Sequence, residues 1–296
     1  KIQGLAAHQK SVRFQYLVEQ HHRYSIRKAC MTLGISRSGF YAYRERKPSD
    51  RQLENEVLSQ KIREVFEQHC GRYGAKRIAH SLQDEWIKVN RKRIVKLMRS
   101  MDLYAKGARR AYKNYNKKHA NRAWANVLQQ DFTQEHWNKV WLGDITYIPT
   151  HEGYLYLAAF LDLHTRKIVG WSISSTMTER LVMDAFLQGF GKERTGPGLI
   201  VHTDQGAQFT GGNFTTLVRS KGAILSNSIK GNPYDNALME SFYKTLKREL
   251  VNDAGFKTKD EARNSLVSYI ELYYNSIRKH SALGYLAPRE YEELNS

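Results

Sequence analysis

The sequence predicts an α/β protein, a mixed sheet flanked by helices, preceded by two all-α modules of helix-turn-helix type. Three observations predict it. In the first hundred or so residues, apolar positions recur at helical spacing. From Trp137 onward, strand-like and helical runs follow in the order three strands, helix, strand, helix, strand, helix. Between these regions lies KGARRAYKNYNKKHANR (106–122), which is basic and has no sustained apolar period.

The chain has 296 residues, enough for a sizeable core and for two or more domains. Its 47 Lys and Arg against 29 Asp and Glu give a formal charge of +18 and a pI near 9.8. Such an excess calls for a polyanionic partner, nucleic acid first and an anionic membrane surface second. No apolar run approaches the roughly 18–20 residues of a membrane span, which argues against an integral membrane protein. No signal-peptide core opens the chain, and it starts at Lys1 rather than Met, as expected of a trimmed chain or of part of a longer product. Cys30 and Cys70 offer no disulfide framework and fit a reducing cytosol. With His21, His22 and His69 they lack CxxC or paired HxxxH spacing, so no zinc site is expected, and both are read as small core residues.

The first module spans 1–47. Ile26, Ala29, Cys30 and Leu33 have i, i+3, i+4, i+7 spacing, Gly34-Ile35-Ser36 makes the turn, and Ser36 caps a helix from Arg37 to about Arg46. Phe40 and Tyr43 then face the first helix, leaving Arg37, Ser38, Tyr41 and Arg44 outward. In a helix-turn-helix that outer face touches DNA; a helical hairpin with a basic solvated face fits the same pattern.

Pro48-Ser49-Asp50 opens the second module, 48–105. Val57, Ile62, Val65 and Phe66 mark one helix, and Ile78, Ala79 and Leu82 another. Ile94, Val95, Leu97 and Met98 mark a third, with Asn90 as its cap and Arg91, Lys92, Arg93, Lys96 and Arg99 on its surface. Five cations in nine residues exceed what solubility needs. The linker, 106–136, carries Arg109, Arg110, Lys113 and Lys117 among Tyr112 and Tyr115, a composition suited to following a phosphate backbone or to a plain spacer.

The α/β domain is assigned 137–256. Its strands are expected at Val140–Ile148, Tyr154–Leu163, Ile168–Ser174, Leu199–His202 and Ala223–Ser226, and its helices at about Glu179–Phe190, Gly211–Ser220 and beyond Asn236. The tail, 257–296, carries a helix with Ala262, Leu266, Tyr269, Ile270 and Tyr273. Arg278 and His280 follow, to bind phosphate or, as the preferred reading, to brace the domain.

Three carboxylates stand out. Asp144 closes the strand-like run WLGD, Asp204 follows LIVHT, and Glu240 lies on a helix, with 35 residues separating the last two. On that helix Leu238, Phe242, Leu246 and Leu250 form an apolar stripe, whereas Glu240, Lys244 and Lys247 share roughly the opposite face. Asp235 or Asn236 is placed to cap it. Alone, this is an ordinary amphipathic helix with an i,i+4 Glu–Lys pair. Three converging carboxylates, however, are the ligand set of hard divalent cations. Asp162, beside a hairpin turn at His164–Lys167, is read as structural.

DITYI, HTDQGAQF and GNPYDNALMESFYKTLKREL, with the D…D(35)E spacing and the terminal YNSIRKHSALGYLAPREY, resemble the catalytic core of DDE transposases and retroviral-type integrases. The closer resemblance is to bacterial insertion-sequence transposases that move by copy-out–paste-in. It covers most of the chain, strongly from Trp141 onward. It implies a ribonuclease H-like domain in which Asp144, Asp204 and Glu240 hold two Mg²⁺ or Mn²⁺ ions. It further implies Lys244 and Lys247 near substrate phosphates, and a second module that reads the element's ends. The implied partners are double-stranded DNA, as terminal inverted repeats and target, and further copies of the chain, at least a dimer on DNA. The implied location is the bacterial cytoplasm, at the nucleoid. His202 could orient groups in the site, although a buried strand histidine accounts for it better. A ribonuclease H-like nuclease without strand transfer and a transposase-derived DNA-binding regulator are the rival readings.

Overall fold

The computed structural model describes residues 9–20, 22, 25–107, 136–193, 195–228 and 236–295. Arg109, Arg110, Lys113 and Lys117, and Asp235, lie outside the described residues. The chain divides into two compact units, Lys1–Arg63 and Glu64–Ser296.

In the first unit, α1 (Lys10–Gln20), α2 (Ile26–Leu33) and α3 (Arg37–Glu45) enclose Leu17, Ala29, Cys30, Leu33 and Phe40. Gly34 ends α2 in the left-handed region at φ 61°, and Ser36 Oγ accepts from the Gly39 N–H at 3.0 Å to cap α3. Tyr43 stacks on Phe14 of α1 with ring centroids 5.2 Å apart. Arg37 and Arg44 are exposed, as expected. Tyr41, expected outward, is half-buried: its ring lies edge-on to Phe40 and under the Arg44 guanidinium, which covers apolar area that exposure would leave wet.

The helix α4 (Asp50–Gln68) begins at a reciprocal cap, Gln52 N–H to Ser49 Oγ and Ser49 N–H to Gln52 Oε1. Its buried stripe is Leu58, Ile62 and Val65. Val57 is 66% exposed, one position off the expected register. Cys30 is buried, but Cys70, expected in the core, is exposed in the left-handed turn (φ 50°) that ends α4.

The second unit contains α5 (Ala75–Asp84) and α6 (Arg91–Ser100), with Ile78, Leu82, Ile94 and Met98 buried. Asn90 caps α6 by accepting from the Lys92 N–H at 2.8 Å. Arg91, Lys92, Lys96 and Arg99 are exposed, whereas Arg93 is half-buried.

The sheet follows with β1 (Val140–Thr150), β2 (Gly153–Asp162), β3 (Ile168–Ser174), β4 (Ile200–Thr203) and β5 (Ile224–Asn227), in the order β3-β2-β1-β4-β5. The first three strands are antiparallel, and β1, β4 and β5 run parallel. Between them come α7 (Glu179–Lys192), the short α8 (Ala207–Thr210) and α9 (Gly212–Ser220). Trp141, Phe160, Phe186, Phe209 and Phe214 centre the cluster that packs these helices on one face of the sheet. Gly170 and Gly189 let β3 and α7 meet backbone to backbone; a Cβ on Gly189 would sit 3.2 Å from the Gly170 Cα. Residues of opposite parity, Leu142, Ile148, Leu155 and Leu157, are also buried. Their cover comes from α10 (Ala237–Leu246) and, beyond α11 (Asn252–Ala254), from α12 (Lys259–Val267), which lie against β1 and β2. A mixed sheet with helices on both faces is the arrangement expected of a ribonuclease H-like domain.

Two helices end in π-helical turns, Lys247–Val251 after α10 and Ser268–Tyr274 after α12, before the final α13 (Pro288–Asn295). These turns and the tail hold a buried polar cluster. Arg278 donates to both oxygens of Glu249, and the Tyr269 hydroxyl donates to Oε2 at 2.8 Å. Glu249 is 1% exposed and Arg278 4%. From the helical module, Arg72 donates to the Glu249 carbonyl and Arg77 to the Lys279 carbonyl, while Tyr73 donates to the Ile277 carbonyl and accepts from the Lys279 N–H. The bracing role expected of Arg278 is the one its burial permits. No described helix is long and apolar enough to cross a membrane.

Candidate active site

Parallel pairing of β1 with β4 puts Gly143 opposite Thr203, so Asp204, the first residue past the C-terminal end of β4, emerges beside Asp144, which lies midway along β1 where its pairing with β4 stops. In open α/β sheets ligands collect at such carboxyl ends, and here both side chains are partly exposed. Gly143 is needed for this close pairing. A Cβ there would lie 2.5 Å from the Phe160 ring and 3.0 Å from the Thr203 methyl. Asp144 Oδ1 accepts from the Ile145 N–H at 2.7 Å, and Asp204 Oδ1 from the Gly206 N–H at 2.9 Å, which orients one oxygen of each carboxylate. The amide of Asn227 donates to the Asp204 and Thr203 carbonyls and holds the end of β4.

The Glu240 helix reaches the same place from above the sheet. At its N-terminal end Asn236 donates its side-chain amide to the Gly143 carbonyl at 3.2 Å; it makes no side-chain cap to the helix. About two turns on, Tyr243 donates its hydroxyl to the Asp144 carbonyl at 2.6 Å and to the Leu157 carbonyl at 3.3 Å. Burial pushes the Tyr243 hydroxyl well above its ordinary value, and the negative charges of Asp144 and Asp204 add to the effect. Both carboxylates thus bear on one buried phenol, which stays a neutral donor.

Glu240 is half-buried on the helix, and its Oε2 pairs with Lys244 Nζ at 3.1 Å. Lys247 places Nζ 4.3 Å from the centre of the Tyr147 ring. Among the described residues no three His, Cys, Asp or Glu side chains are grouped closely enough to hold a metal ion. Strand pairing brings Asp144 and Asp204 together, whereas Glu240, engaged with Lys244, does not complete a three-carboxylate group with them in this conformation. The buried face of α10 is Met239, Phe242, Tyr243 and Leu246. Leu238 and Leu250, expected inside, are only partly covered: Tyr243 and Met239 take the face toward β1 on α10, and in the π-helical turn that follows Glu249 and Val251 rather than Leu250 face inward.

His202 is fully buried on β4, with Nδ1 2.9 Å from Ser226 Oγ and Nε2 3.2 Å from Ser228 Oγ, as a core histidine would be. Asp162 accepts from the Asn138, His164 and Thr165 N–H groups and the Thr165 hydroxyl, a structural anchor for the hairpin. Sequence reasoning passed over Tyr243, and it read Asn236 as a cap where the side chain instead bonds β1. A signal was present: a phenol within an apolar helical stripe must find an acceptor when buried.

Comparison with known proteins agrees with this architecture. Residues 134–233 and 221–288 match the integrase core domain family, and residues 52–112 match an HTH-like domain. The transposase for insertion sequence element IS904 of Lactococcus lactis is 56% identical over 251 residues, covering 85% of this chain and 99% of that protein. Transposase InsF for insertion sequence IS3A of Escherichia coli is 34% identical over 281 residues, covering 94% and 98%. Among solved structures, the catalytic core domain of BIV integrase aligns over 53% of this chain and 96% of its own, at 21% identity and a TM-score of 0.41.

Proposed function

The chain belongs to the insertion-sequence transposases with an integrase core, and from that premise we propose that Asp144, Asp204 and Glu240 form its catalytic centre. Its activity is DNA strand cleavage and strand transfer, a polynucleotidyl transfer that uses a divalent metal. The observation that carries the site assignment is the adjacency of Asp144, on β1 where its pairing with β4 stops, and Asp204, just past the end of β4, with the Glu240 helix bonded to β1 beside them.

The donor set fits a hard cation: carboxylate oxygens, partly exposed, with no thiolate or imidazole among them. We assign Mg²⁺ or Mn²⁺, two ions per site, which when bound would activate the attacking oxygen and stabilise the leaving one. The protein's own groups do the rest. Tyr243 and Asn236 hold the helix against β1, and Lys244 and Lys247 take phosphates beside the carboxylates. Water cuts one strand at an element end, and the freed 3′-OH attacks a second phosphodiester. No covalent enzyme intermediate is needed.

The basic face of α6 (Arg91, Lys92, Lys96, Arg99) is proposed to read the terminal inverted repeats, and Arg37 and Arg44 of α3 to contact DNA. The segments 1–47, 48–105, 106–136, 137–256 and 257–296 are taken as the functional parts. The acting form is taken as at least a dimer on DNA, at the bacterial nucleoid.

The test is a metal-dependent cleavage and joining assay on duplexes carrying the ends of the encoding element. Both products are expected. Cleavage without joining would favour a nuclease, and end binding without chemistry would favour a regulator.

A further inference from the structure

Two exposed aromatic rings stand on β1 and β2, strands that are otherwise mostly buried. Tyr147, three residues after Asp144 on β1, is 48% exposed, and Tyr154 on β2 is 54% exposed. Their rings meet edge-to-face, with centroids 5.6 Å apart and planes at 89°. Tyr156, the cross-strand partner of Tyr147, packs on the core cluster. Among the described residues β4 pairs with β1 only as far as Gly143, so Tyr147 stands on the open stretch of β1 just past the carboxylates.

The helix that carries Glu240 reaches β1 at two further points. Tyr243 bonds the Asp144 carbonyl, and four residues later the Lys247 ammonium lies over the Tyr147 ring at 4.3 Å. The phenol ring thus has a cation over it and a second ring packed at a right angle, three residues along β1 from a proposed catalytic carboxylate and on the opposite face of the strand. An exposed ring costs solvation and contributes little to folding. A π surface with a cation over the ring offers a nucleobase a stacking partner and its phosphate a charge, whatever the sequence. A reaction at a duplex end also creates a demand for such a surface. Where the flanking base leaves its pair and its stack to free the phosphodiester for in-line attack, the unstacking costs free energy unless another surface receives the base.

We propose that Tyr147 is the platform on which a nucleobase flanking the reacting phosphodiester stacks once unpaired, with Tyr154 buttressing the ring and Lys247 holding the adjoining phosphate. This rests on the transposase reading above and adds a substrate-positioning element to it.

The test is a cycle between ring and base. Single-turnover cleavage is measured for wild type, Tyr147→Phe and Tyr147→Ala on end duplexes carrying either the natural base or an abasic site at each position flanking the cleaved bond. Tyr147→Phe should stay within about twofold of wild type. Tyr147→Ala should be about ten- to a hundredfold slower on the natural base. At one flanking position the abasic substrate should shrink that difference to less than about threefold. A mismatch there, which lowers the cost of unpairing, should restore part of the Tyr147→Ala rate. Tyr147→Leu keeps bulk without a π face and serves the same comparison should the alanine variant melt early. The proposal is overturned if the alanine defect is absent, if it is equal on natural and abasic substrates at every position, or if phenylalanine is as poor as alanine. Those results leave the transposase reading intact. A wild-type chain inert on every end duplex overturns that reading and the stacking proposal with it.

Discussion

The Tyr243 hydroxyl bonds the backbone carbonyl of Asp144 at 2.6 Å and so ties the helix of Glu240 to the strand of Asp144. Residues 99 apart in sequence meet there, and the contact sets the position of one proposed ligand relative to another. Tyr243 does not touch substrate in this arrangement; it is a positioning residue.

Tyr243→Phe is therefore expected to destabilise the chain by only about 1–2 kcal/mol, the cost of a buried carbonyl losing its donor. End binding should stay within about twofold while cleavage falls more than tenfold. Denaturant melts and single-turnover rates check the two parts separately. Unchanged cleavage would reduce Tyr243 to a packing role.

The carboxylates should behave as a unit. Asp144→Asn, Asp204→Asn and Glu240→Gln keep size and backbone, and the core under α10 rests on Met239, Phe242, Tyr243 and Leu246. Each variant should fold and bind ends, yet lose cleavage and joining together by about a thousandfold or more. Joining that survives Glu240→Gln would remove Glu240 from the centre.

Arg278→Ala leaves Glu249 buried without its main partner and is expected to cost about 3–5 kcal/mol. The helical module docks on the same cluster through Arg72, Arg77 and Tyr73, so protection from hydrogen exchange in α5 should drop with it. Exchange that changes only in the tail would show that the module is held by other contacts.

Acid should loosen the same region. Burial, then the charges of Lys279, Arg72 and Arg77, hold the His69 imidazole down to about 4, and burial, then Arg278, Arg77 and Arg166, hold His280 down to about 2. Burial pushes the Glu249 carboxyl up, but Arg278, Tyr269 and Arg77 outweigh it and leave it below its ordinary range. Unfolded histidines bind protons below about 6.5, where the folded ones do not. Their contribution is complete above that pH and is lost as pH falls toward about 4 for His69 and lower for His280, with Glu249 adding to the loss below its ordinary value. The melting temperature should decline from pH 7 to pH 4. His69→Phe, which retains the stack on Tyr73, should flatten that decline.

DNA affinity should fall steeply with salt, since each phosphate neutralised contributes a log–log slope of about 0.9. Replacing Lys92 and Lys96, both exposed on α6, should weaken end binding and lower the slope by about two. An unchanged slope would mean that this face does not meet the backbone.

The sequence alone determined the elements and their order. Apolar periodicity is local, so the β3 limits Ile168–Ser174 and the caps at Ser36 and Asn90 could be read from a few neighbouring residues. The carboxylates too were legible, since Asp144 and Asp204 end strand-like runs. Tertiary structure decided what depends on distant partners. Nothing near Glu249 distinguishes it from a solvated helix glutamate; Arg278, 29 residues on, makes its burial possible. Leu238 rather than Tyr243 looked like the inward residue of α10, until the Asp144 and Leu157 carbonyls supplied acceptors for the phenol. Val57 and Leu58 differ in burial because of which side of α4 the fold covers, a choice that the weakly amphipathic helix does not make by itself. Burial of a polar group is a property of the pair, and a pair exists only once the chain has folded.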